Sequence, residues 1–127
     1  MCNNSMTITY EDVVKAQQTQ NKVIRKTNLE FSETFSKICG ANVYLKNEYE
    51  QKTGSFKIRG AYYKIKSLTD DEKNKGVVAA SAGNHSQGVA FASHIENIPC
   101  TIVMPKNASP AKVAATRGYG AKVVLEG

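Results

Sequence analysis

The chain has 127 residues, of which 41% are hydrophobic and 22% are charged, a balance typical of a globular protein with room for one core. Its net charge is +6, but the lysines and arginines are scattered and not interleaved with stacking aromatic residues, so we expect no nucleic-acid partner. No apolar run approaches the ~20 residues that cross a bilayer. The polar start, MCNNSMTITYED, lacks the segments of a secretory signal. We therefore expect a cytoplasmic protein without membrane association.

The cysteines and histidines give no support for a disulfide framework or a metal centre. Cys2, Cys39 and Cys100 are odd in number and far apart, and they are most simply three free thiols in a reducing compartment. His85 and His94 have no acidic ligands near them at metal-binding spacing. We expect no bound metal.

The first predicted elements are a helix and a strand. A capping box, Thr9-x-x-Asp12, opens a helix over residues 10–23 that carries few apolar side chains and should lie on a surface. In NVYLKNE (residues 42–48), apolar and polar side chains alternate, which is typical of a strand.

Two further helices are predicted in the middle of the chain. After a turn at Gly54, Ser55 is expected to cap a helix. Its apolar face has helical spacing and consists of Ile58, Ala61, Tyr62, Ile65 and Leu68. A second capping box, Thr69-x-x-Glu72, then opens a short helix that Gly76 ends.

The second half of the chain alternates between short apolar runs and helical patterns. We predict a buried strand over residues 77–81, a helix over 83–95, a strand over 100–105, a helix over 109–119 and a strand over 121–127. This rhythm predicts parallel strands joined by right-handed crossovers. The expected architecture is α/β, with helices on the faces of the sheet.

Lys57 stands out because it falls in the first turn of its predicted helix, where the helix dipole disfavours a cation by roughly 0.3–1 kcal/mol. One interpretation is a solvated surface lysine, whose long side chain reaches water. The other is an amine nucleophile, for which a helix start is a suitable environment because the working amine must be neutral. The local pattern alone favours the surface residue.

The loop SAGNHSQG (residues 81–88) follows a parallel strand and leads into a helix, which is where open α/β sheets bind ligands. The N–H groups at such a helix start favour a carboxylate or phosphate. Gly83 and Gly88 have the spacing of a Walker loop, but Val89 and Ala90 stand where Lys and Ser or Thr are required, so ATP hydrolysis is not expected. A structural turn without a ligand is the alternative.

Two stretches together, KTGSFKIRGA (residues 52–61) and SAGNHSQGVA (residues 81–90), resemble the fold-type II pyridoxal-phosphate enzymes. Within them the sequence is similar to the threonine/serine dehydratase group, and closest to its catabolic branch. The resemblance extends over nearly the whole chain from about Lys26 onward. It implies an α/β fold with a parallel sheet and helices on both faces, the cofactor pyridoxal 5'-phosphate, and a small hydroxy amino acid as substrate.

The resemblance also implies roles for individual residues. Lys57 would be the catalytic lysine, which holds the cofactor covalently and, once freed, removes the substrate α-proton. Phe56 would pack by the cofactor ring, and Asn84 would hydrogen-bond its phenolic oxygen. The substrate carboxylate would be held by the loop residues Ser81, Ala82, Gly83, Asn84 and His85. The implied reaction converts L-threonine, and also L-serine, to a 2-oxo acid and ammonia.

Ala82 separates two activities within this group. Racemases resemble the dehydratases but place a serine here, which exchanges a proton on the other face of the cofactor ring. Alanine has no proton to exchange, so dehydration is favoured, and Ala82→Ser is predicted to introduce some racemase activity. Two alternatives stay open: a serine racemase-like enzyme, and a non-catalytic truncated fragment that keeps the signature.

The catabolic branch also suggests regulation. Lys52, Thr53 and Gln87 fall where that branch contacts AMP, which implies a nucleotide effector site. A lysine and a glutamine on exposed turns are, in the simpler interpretation, only solvated. The full-length enzyme is expected to form a homo-oligomer.

Three departures from the family pattern lie near the expected site. Asn28 stands where proline is usual, Tyr49-Glu50 replaces a more usual Asn-Leu or Asn-Met, and Ser86 replaces alanine.

The resemblance further implies that residues 1–51 belong to a larger cofactor domain and that residues 52–127 form a small α/β domain, incomplete here. The sequence stops before the family's glycine-rich phosphate loop and the residue that faces the pyridine nitrogen. We therefore expect the isolated chain to be inactive, with exposed apolar surface and low stability or self-association.

Overall fold

The computed structural model describes residues 7–127. The first half of the chain forms α1 (Tyr10–Gln20), β1 (Leu29–Phe31), α2 (Glu33–Cys39), β2 (Tyr44–Lys46) and two 3₁₀ turns (Glu48–Glu50 and Lys52–Gly54). The second half forms α3 (Lys57–Lys66), α4 (Asp70–Lys75), β3 (Val77–Ala80), α5 (Asn84–Ile95), β4 (Cys100–Met104), α6 (Pro110–Gly118) and β5 (Lys122–Leu125). Every element expected from the sequence is present within a few residues of its predicted ends. The sequence did not predict β1 and α2.

The first sheet is an antiparallel pair of β1 and β2. Leu29 pairs with Lys46, and Phe31 pairs with Tyr44. The rings of Phe31 and Tyr44 meet edge to face, with 5.5 Å between their centroids. Every residue of both strands is exposed. β1 was missed because three residues are too few for a periodic pattern.

The second sheet is parallel, in the order β3-β4-β5, as predicted. Ala79 lies opposite Ile102, and Ile102 lies opposite Val123. The crossovers are α5, between β3 and β4, and α6, between β4 and β5. Because the strands run in one direction, both loops that follow β3 and β4 lie at the same edge of the sheet.

The helices of this unit cover one face of the sheet in the described residues. α5 packs against β3 and β4, α6 packs against β5, and the two helices pack against each other. The prediction that β3 is buried was wrong: Val77 and Ala79 pack towards the core, whereas Val78 is 74% exposed and Ala80 is also exposed. The reason is that every second residue of β3 points to the face of the sheet that the helices do not cover. The predicted α/β fold with a parallel sheet and packed helices is confirmed.

The core lies between this sheet and α3, which packs across α5. Four of the five residues of the predicted apolar face of α3 are buried, namely Ile58, Ala61, Tyr62 and Ile65. Leu68 lies beyond the end of the helix and is half-buried. Ile58 and Ile102 are fully buried, and burial of such a side chain contributes about 1.5–3 kcal/mol.

Both predicted capping boxes are present. The Thr9 side chain accepts a hydrogen bond from the Asp12 N–H, and the Thr69 side chain accepts one from the Glu72 N–H. In each case the carboxylate accepts in return from the backbone N–H of the threonine. Gly76 ends α4 with a φ of 81°, a conformation that favours glycine.

Cys39 is an exposed free thiol and Cys100 is a half-buried one, and Cys2 lies outside the described residues. Burial raises the pKa of the Cys100 thiol, against a smaller opposite effect of the Ser93 hydroxyl. In residues 7–127 no three histidine, cysteine or acidic side chains come together as a metal site. No helix in that range is long and apolar enough to cross a membrane.

Candidate functional site

The starts of α3 and α5 are held close together by one glycine. A Cβ added to Gly88, in the second turn of α5, would lie 3.1 Å from the carbonyl carbon of Lys57 and 3.2 Å from the nitrogen of Ile58. Side chains rarely approach backbone this closely, so the contact favours a residue without one. The packing therefore places the first turn of α3, which carries Lys57, beside the first turns of α5.

The side chain of Lys57 is exposed and stands over an aromatic ring. Its Nζ lies 4.7 Å from the centroid of the Phe56 ring, within the range of a cation–π interaction. The Phe56 side chain is 55% exposed. No carboxylate forms an ion pair with Lys57 in residues 7–127. The site thus offers a free amine and an open aromatic surface next to each other.

The prediction that Ser55 occupies the cap position of α3 was wrong. The regular helix starts at Lys57, so that Phe56 occupies the cap position without a side-chain cap. Ser55, just before it, is extended, and its hydroxyl accepts a hydrogen bond from the Lys57 N–H at 3.4 Å. Ser55 is buried. Its hydrogen bond therefore orients the first turn of α3.

The loop between β3 and α5 presents an uncapped helix start. The Gly83 N–H donates to the Ser81 hydroxyl at 3.3 Å, which shapes the turn. No side chain caps α5 at Gly83. Ser81, Ala82 and Gly83 are half-buried, while Asn84 and His85 are exposed. Such a helix start carries partial positive charge and free N–H donors, which suits a carboxylate or phosphate.

Ser86, which departs from the alanine of the family pattern, has a structural role. It is fully buried. Its hydroxyl donates to the Gly83 carbonyl and accepts a hydrogen bond from Thr116 Oγ1 at 3.3 Å. This chain of two hydrogen bonds links the loop before α5 to α6.

Lys112 lies at this site, and we did not predict it from the sequence. It is in the first turn of α6. Its Nζ lies 3.8 Å from the position that a Cβ on Gly83 would occupy. The element order in the sequence could have indicated this position. α6 follows β4 as α5 follows β3, so the starts of both helices lie at the same edge of the sheet.

The three residues of the expected effector site lie on α5 and on the turn that packs against it. The Nζ of Lys52 is 5.6 Å from the centroid of the Phe91 ring. Thr53 has a φ of 68°, unusual for a residue with a β-branched side chain, and its buried hydroxyl has no hydrogen-bond partner in the described residues. Gln87 is half-buried in the first turn of α5.

An ion pair joins the N-terminal segment to α3 near the site. Arg59 donates to both carboxylate oxygens of Glu48, at 2.8 and 2.7 Å, and Thr27 donates to the same carboxylate at 2.6 Å. The Arg59 guanidinium, followed by Thr27, lowers the pKa of Glu48 despite partial burial. Gln20 adds a hydrogen bond from its amide to the Arg59 carbonyl. These bonds hold the helix that carries Lys57 in place.

Two cavities, of about 260 and 370 Å³, lie at the other end of α5. Their lining includes Ser93, His94 and Cys100 in the first and Asp70 and Glu96 in the second. Neither includes a residue of the loop before α5 or Lys57. In residues 7–127 the candidate site is therefore an open surface between helix starts.

Comparison with known proteins gives one consistent result. The sequence matches the family model described as pyridoxal-phosphate dependent enzyme over residues 21–126. It is 55% identical over 120 residues to an L-threonine ammonia-lyase of Thermotoga maritima, which covers 94% of this chain and 30% of that protein. It is 50% identical over 120 residues to the L-threonine dehydratase catabolic TdcB of Escherichia coli K12, which covers 94% of this chain and 36% of that protein.

The fold comparison agrees. The solved structure of serine racemase from Dictyostelium discoideum matches with a TM-score of 0.87 and 41% sequence identity, covering 93% of this chain and 38% of that one. The chain therefore spans about a third of the length of the relatives that it matches.

Proposed function

Because the chain belongs to the pyridoxal-phosphate dependent enzymes, we propose that it carries the catalytic lysine and the substrate loop of an L-threonine ammonia-lyase, which also acts on L-serine. The observation that carries this proposal is the amine of Lys57, which has no ion-pair partner in residues 7–127 and lies over the open ring of Phe56, beside the uncapped start of α5. The names of the two relatives support the same reaction.

The residues present fit part of the cofactor. Lys57 is exposed and free to bond the aldehyde, Phe56 offers an aromatic surface for the ring, and the exposed amide of Asn84 can donate to the phenolic oxygen. When bound, pyridoxal phosphate withdraws electrons from the substrate α-carbon and thereby acidifies its proton. The phosphate-binding group is not identified among these residues.

Lys57 has two tasks in the proposed reaction. It holds the cofactor covalently in the resting enzyme, and its Nζ accepts the substrate α-proton once the amine is free. No carboxylate of the part of the chain that the structure describes pairs with Lys57, which favours both tasks because an ion pair would hold the amine in its charged form.

The substrate carboxylate binds, in this proposal, to the loop before α5. This loop consists of Ser81, Ala82, Gly83, Asn84 and His85. The N–H groups of Ser81 and Gly83 donate to the Val103 carbonyl and the Ser81 hydroxyl, so the substrate would be held by those of Ala82, Asn84 and His85, at the positive end of a helix dipole. These N–H groups suit the carboxylate of any amino acid, so the loop does not by itself separate threonine from serine.

A second candidate activity is racemisation, because the serine racemase of Dictyostelium discoideum shares the fold at 41% identity. Ala82 argues against it, since its methyl group cannot deliver a proton to the other face of the substrate. We therefore place dehydration first.

We further propose that residues 1–51 pack against a larger domain and that residues 52–127 form the small domain. The exposed apolar side chains support this division, since most of them precede residue 52, including Phe31, Phe35, Ile38 and Tyr44. The isolated 127 residues should consequently be inactive and prone to associate.

An AMP site at Lys52, Thr53 and Gln87 is also part of the proposal. Its support is the buried hydroxyl of Thr53, which lies in a strained turn and has no hydrogen-bond partner among residues 7–127, and the nearby ammonium of Lys52, packed beside α5. We propose a homo-oligomeric, cytoplasmic enzyme in keeping with this assignment.

The test uses a chimera in which these 127 residues replace the aligned part of the E. coli TdcB chain, which is 50% identical. The chimera should release 2-oxobutanoate and ammonia from L-threonine, and Lys57→Ala should lower kcat by about 10²–10⁴-fold. Lys64→Ala, an exposed position on the same helix, is the matched control.

Borohydride reduction and peptide mass mapping give an independent readout, with the pyridoxyl group expected on Lys57. A folded chimera that binds the cofactor elsewhere, or Lys57→Ala with full activity, would contradict the proposal. The non-catalytic alternative would then lead.

A further inference from the structure

Two buried hydroxyl groups join the start of α5 to α6. Ser86 is the third residue of α5, Thr116 lies on α6, and both side chains are fully buried. Thr116 Oγ1 donates to the Ser86 hydroxyl at 3.3 Å, and the Ser86 hydroxyl donates to the Gly83 carbonyl. Ser86 stands where the family pattern has alanine. The connection is therefore a feature of this chain.

These hydrogen bonds fix Gly83 on both sides. Its N–H donates to the Ser81 hydroxyl at 3.3 Å, and its carbonyl accepts from Ser86. The Ser81 N–H in turn donates to the Val103 carbonyl of β4 at 3.0 Å. Because the backbone of glycine is the least restricted of all residues, the bond from Ser86 limits how the loop before α5 can move.

The start of α5 is held on two opposite faces. Ser86 and Gly88 are two positions apart, about 200° around the helix axis. Gly88 lies against the backbone of Lys57 on α3, whereas Ser86 bonds to Thr116 on α6. The contact with α6 therefore helps to set where the loop before α5 lies relative to Lys57.

We propose that Ser86 and Thr116 are positioning residues, which hold the loop before α5 in the conformation that binds the amino acid substrate and thereby lower KM. This inference rests on the proposed function, in which that loop holds the substrate carboxylate. Both hydroxyl groups are buried and act through Gly83. The carboxylate does not react, so its binding contributes equally to the ground state and the transition state, and KM should change more than kcat.

The experiment compares two substitutions of Thr116 in the parent chimera. Thr116→Val keeps the shape and removes the hydroxyl, whereas Thr116→Ser keeps the hydroxyl and removes a methyl group. Thr116→Val should raise KM for L-threonine roughly threefold to tenfold, the usual effect of one hydrogen bond, with kcat within about twofold. Thr116→Ser should keep the parent KM, although urea unfolding should show that the lost methyl group destabilises it. A merely structural role would make KM follow stability in both variants.

A double-mutant cycle tests whether the two hydroxyl groups act together. Ser86→Ala removes both hydrogen bonds and should also raise KM. The double variant of Ser86→Ala and Thr116→Val should have the same KM as Ser86→Ala alone. Ser93→Ala is the matched control, because Ser93 is equally buried but lies towards the other end of α5. It should leave KM unaltered.

The outcomes separate this inference from the proposed function. Calorimetry with L-alanine, which has the carboxylate but no β-hydroxyl, should show Kd rising by the same factor as KM. An active chimera in which Thr116→Val and Ser86→Ala leave KM unaltered, or in which Thr116→Ser raises KM as much as Thr116→Val, would overturn the positioning role alone. A folded parent chimera that neither deaminates L-threonine nor binds L-alanine would overturn both.

Discussion

Gly88 lies directly against the backbone of Lys57, with 3.1 Å between the place of a Gly88 Cβ and the Lys57 carbonyl carbon. A side chain at Gly88 would need the start of α3 to move by a few tenths of an ångström. The geometry of the proposed site depends on this contact, because it sets the distance between the lysine and the loop before α5.

Gly88→Ala is expected to destabilise the chimera by about 1–3 kcal/mol, the usual cost of overpacking, and to reduce kcat. Gly60→Ala is the matched control: its Cβ would meet nothing within 4 Å, and alanine in a helix interior stabilises by roughly 0.5–1 kcal/mol. Urea unfolding measures both. Equal stability of the two variants would show that the close contact is unimportant.

Ala82→Ser should introduce racemisation as a minor activity beside deamination, because the new hydroxyl would lie in the proposed substrate loop and could exchange a proton. Chiral chromatography of the amino acid recovered after incubation with L-serine measures it. Ala80→Ser, at the exposed end of β3, is the control and should yield no D-serine. Absence of D-serine from the Ala82→Ser variant would speak against a role for this position in choosing the reaction.

AMP should lower KM for L-threonine in the chimera. Lys52→Gln should raise the AMP concentration that gives half of this effect by roughly tenfold, since a charge-assisted contact to phosphate is lost. Lys64→Gln, at an exposed position of α3, should respond to AMP as the parent does. Steady-state kinetics with and without AMP test the effector site. If the nucleotide changes nothing in the parent chimera, the site has no effector function.

Tyr62 predicts an alkaline loss of stability. Burial, followed by the hydrogen bond to Glu96 at 2.7 Å, raises the pKa of Tyr62 from 10.0 to about 12. Below pH 10 the phenol is protonated in both the folded and unfolded states, and its full contribution to the free energy of unfolding is present. Between pH 10 and 12 only the unfolded state releases the proton, so stability falls.

Tyr62→Phe should cost about 1 kcal/mol at neutral pH, because the hydrogen bond to Glu96 is lost. It should also remove Tyr62's share of the decline between pH 10 and 12. The free energy of unfolding of the parent and of the variant is measured across this range. The difference between the two removes the contribution of lysine titration, which is common to both. Tyr63→Phe is the control. Parallel stability curves for the parent and Tyr62→Phe would contradict the assigned shift.

Several features followed from the sequence alone because short-range interactions determine them. The Thr9 and Thr69 capping boxes join residues three apart, and the buried face of α3 follows from helical spacing. The alternation of strands and helices after residue 76 predicted the parallel sheet, since crossover connections leave few arrangements. The two motifs placed Lys57 and Asn84 at helix starts.

Only the tertiary structure decided which of these segments touch. The contact of Gly88 with Lys57 joins separate helices, and a glycine in a helical pattern does not reveal what approaches it. The ammonium of Lys112 comes near Gly83 because two adjacent parallel strands end at the same sheet edge and Thr116 holds α6 to α5. The exposure of Val78 likewise depends on which face the helices cover. Local patterns encode the elements, whereas contacts between distant segments arise from packing, and it is packing that assembles the proposed site.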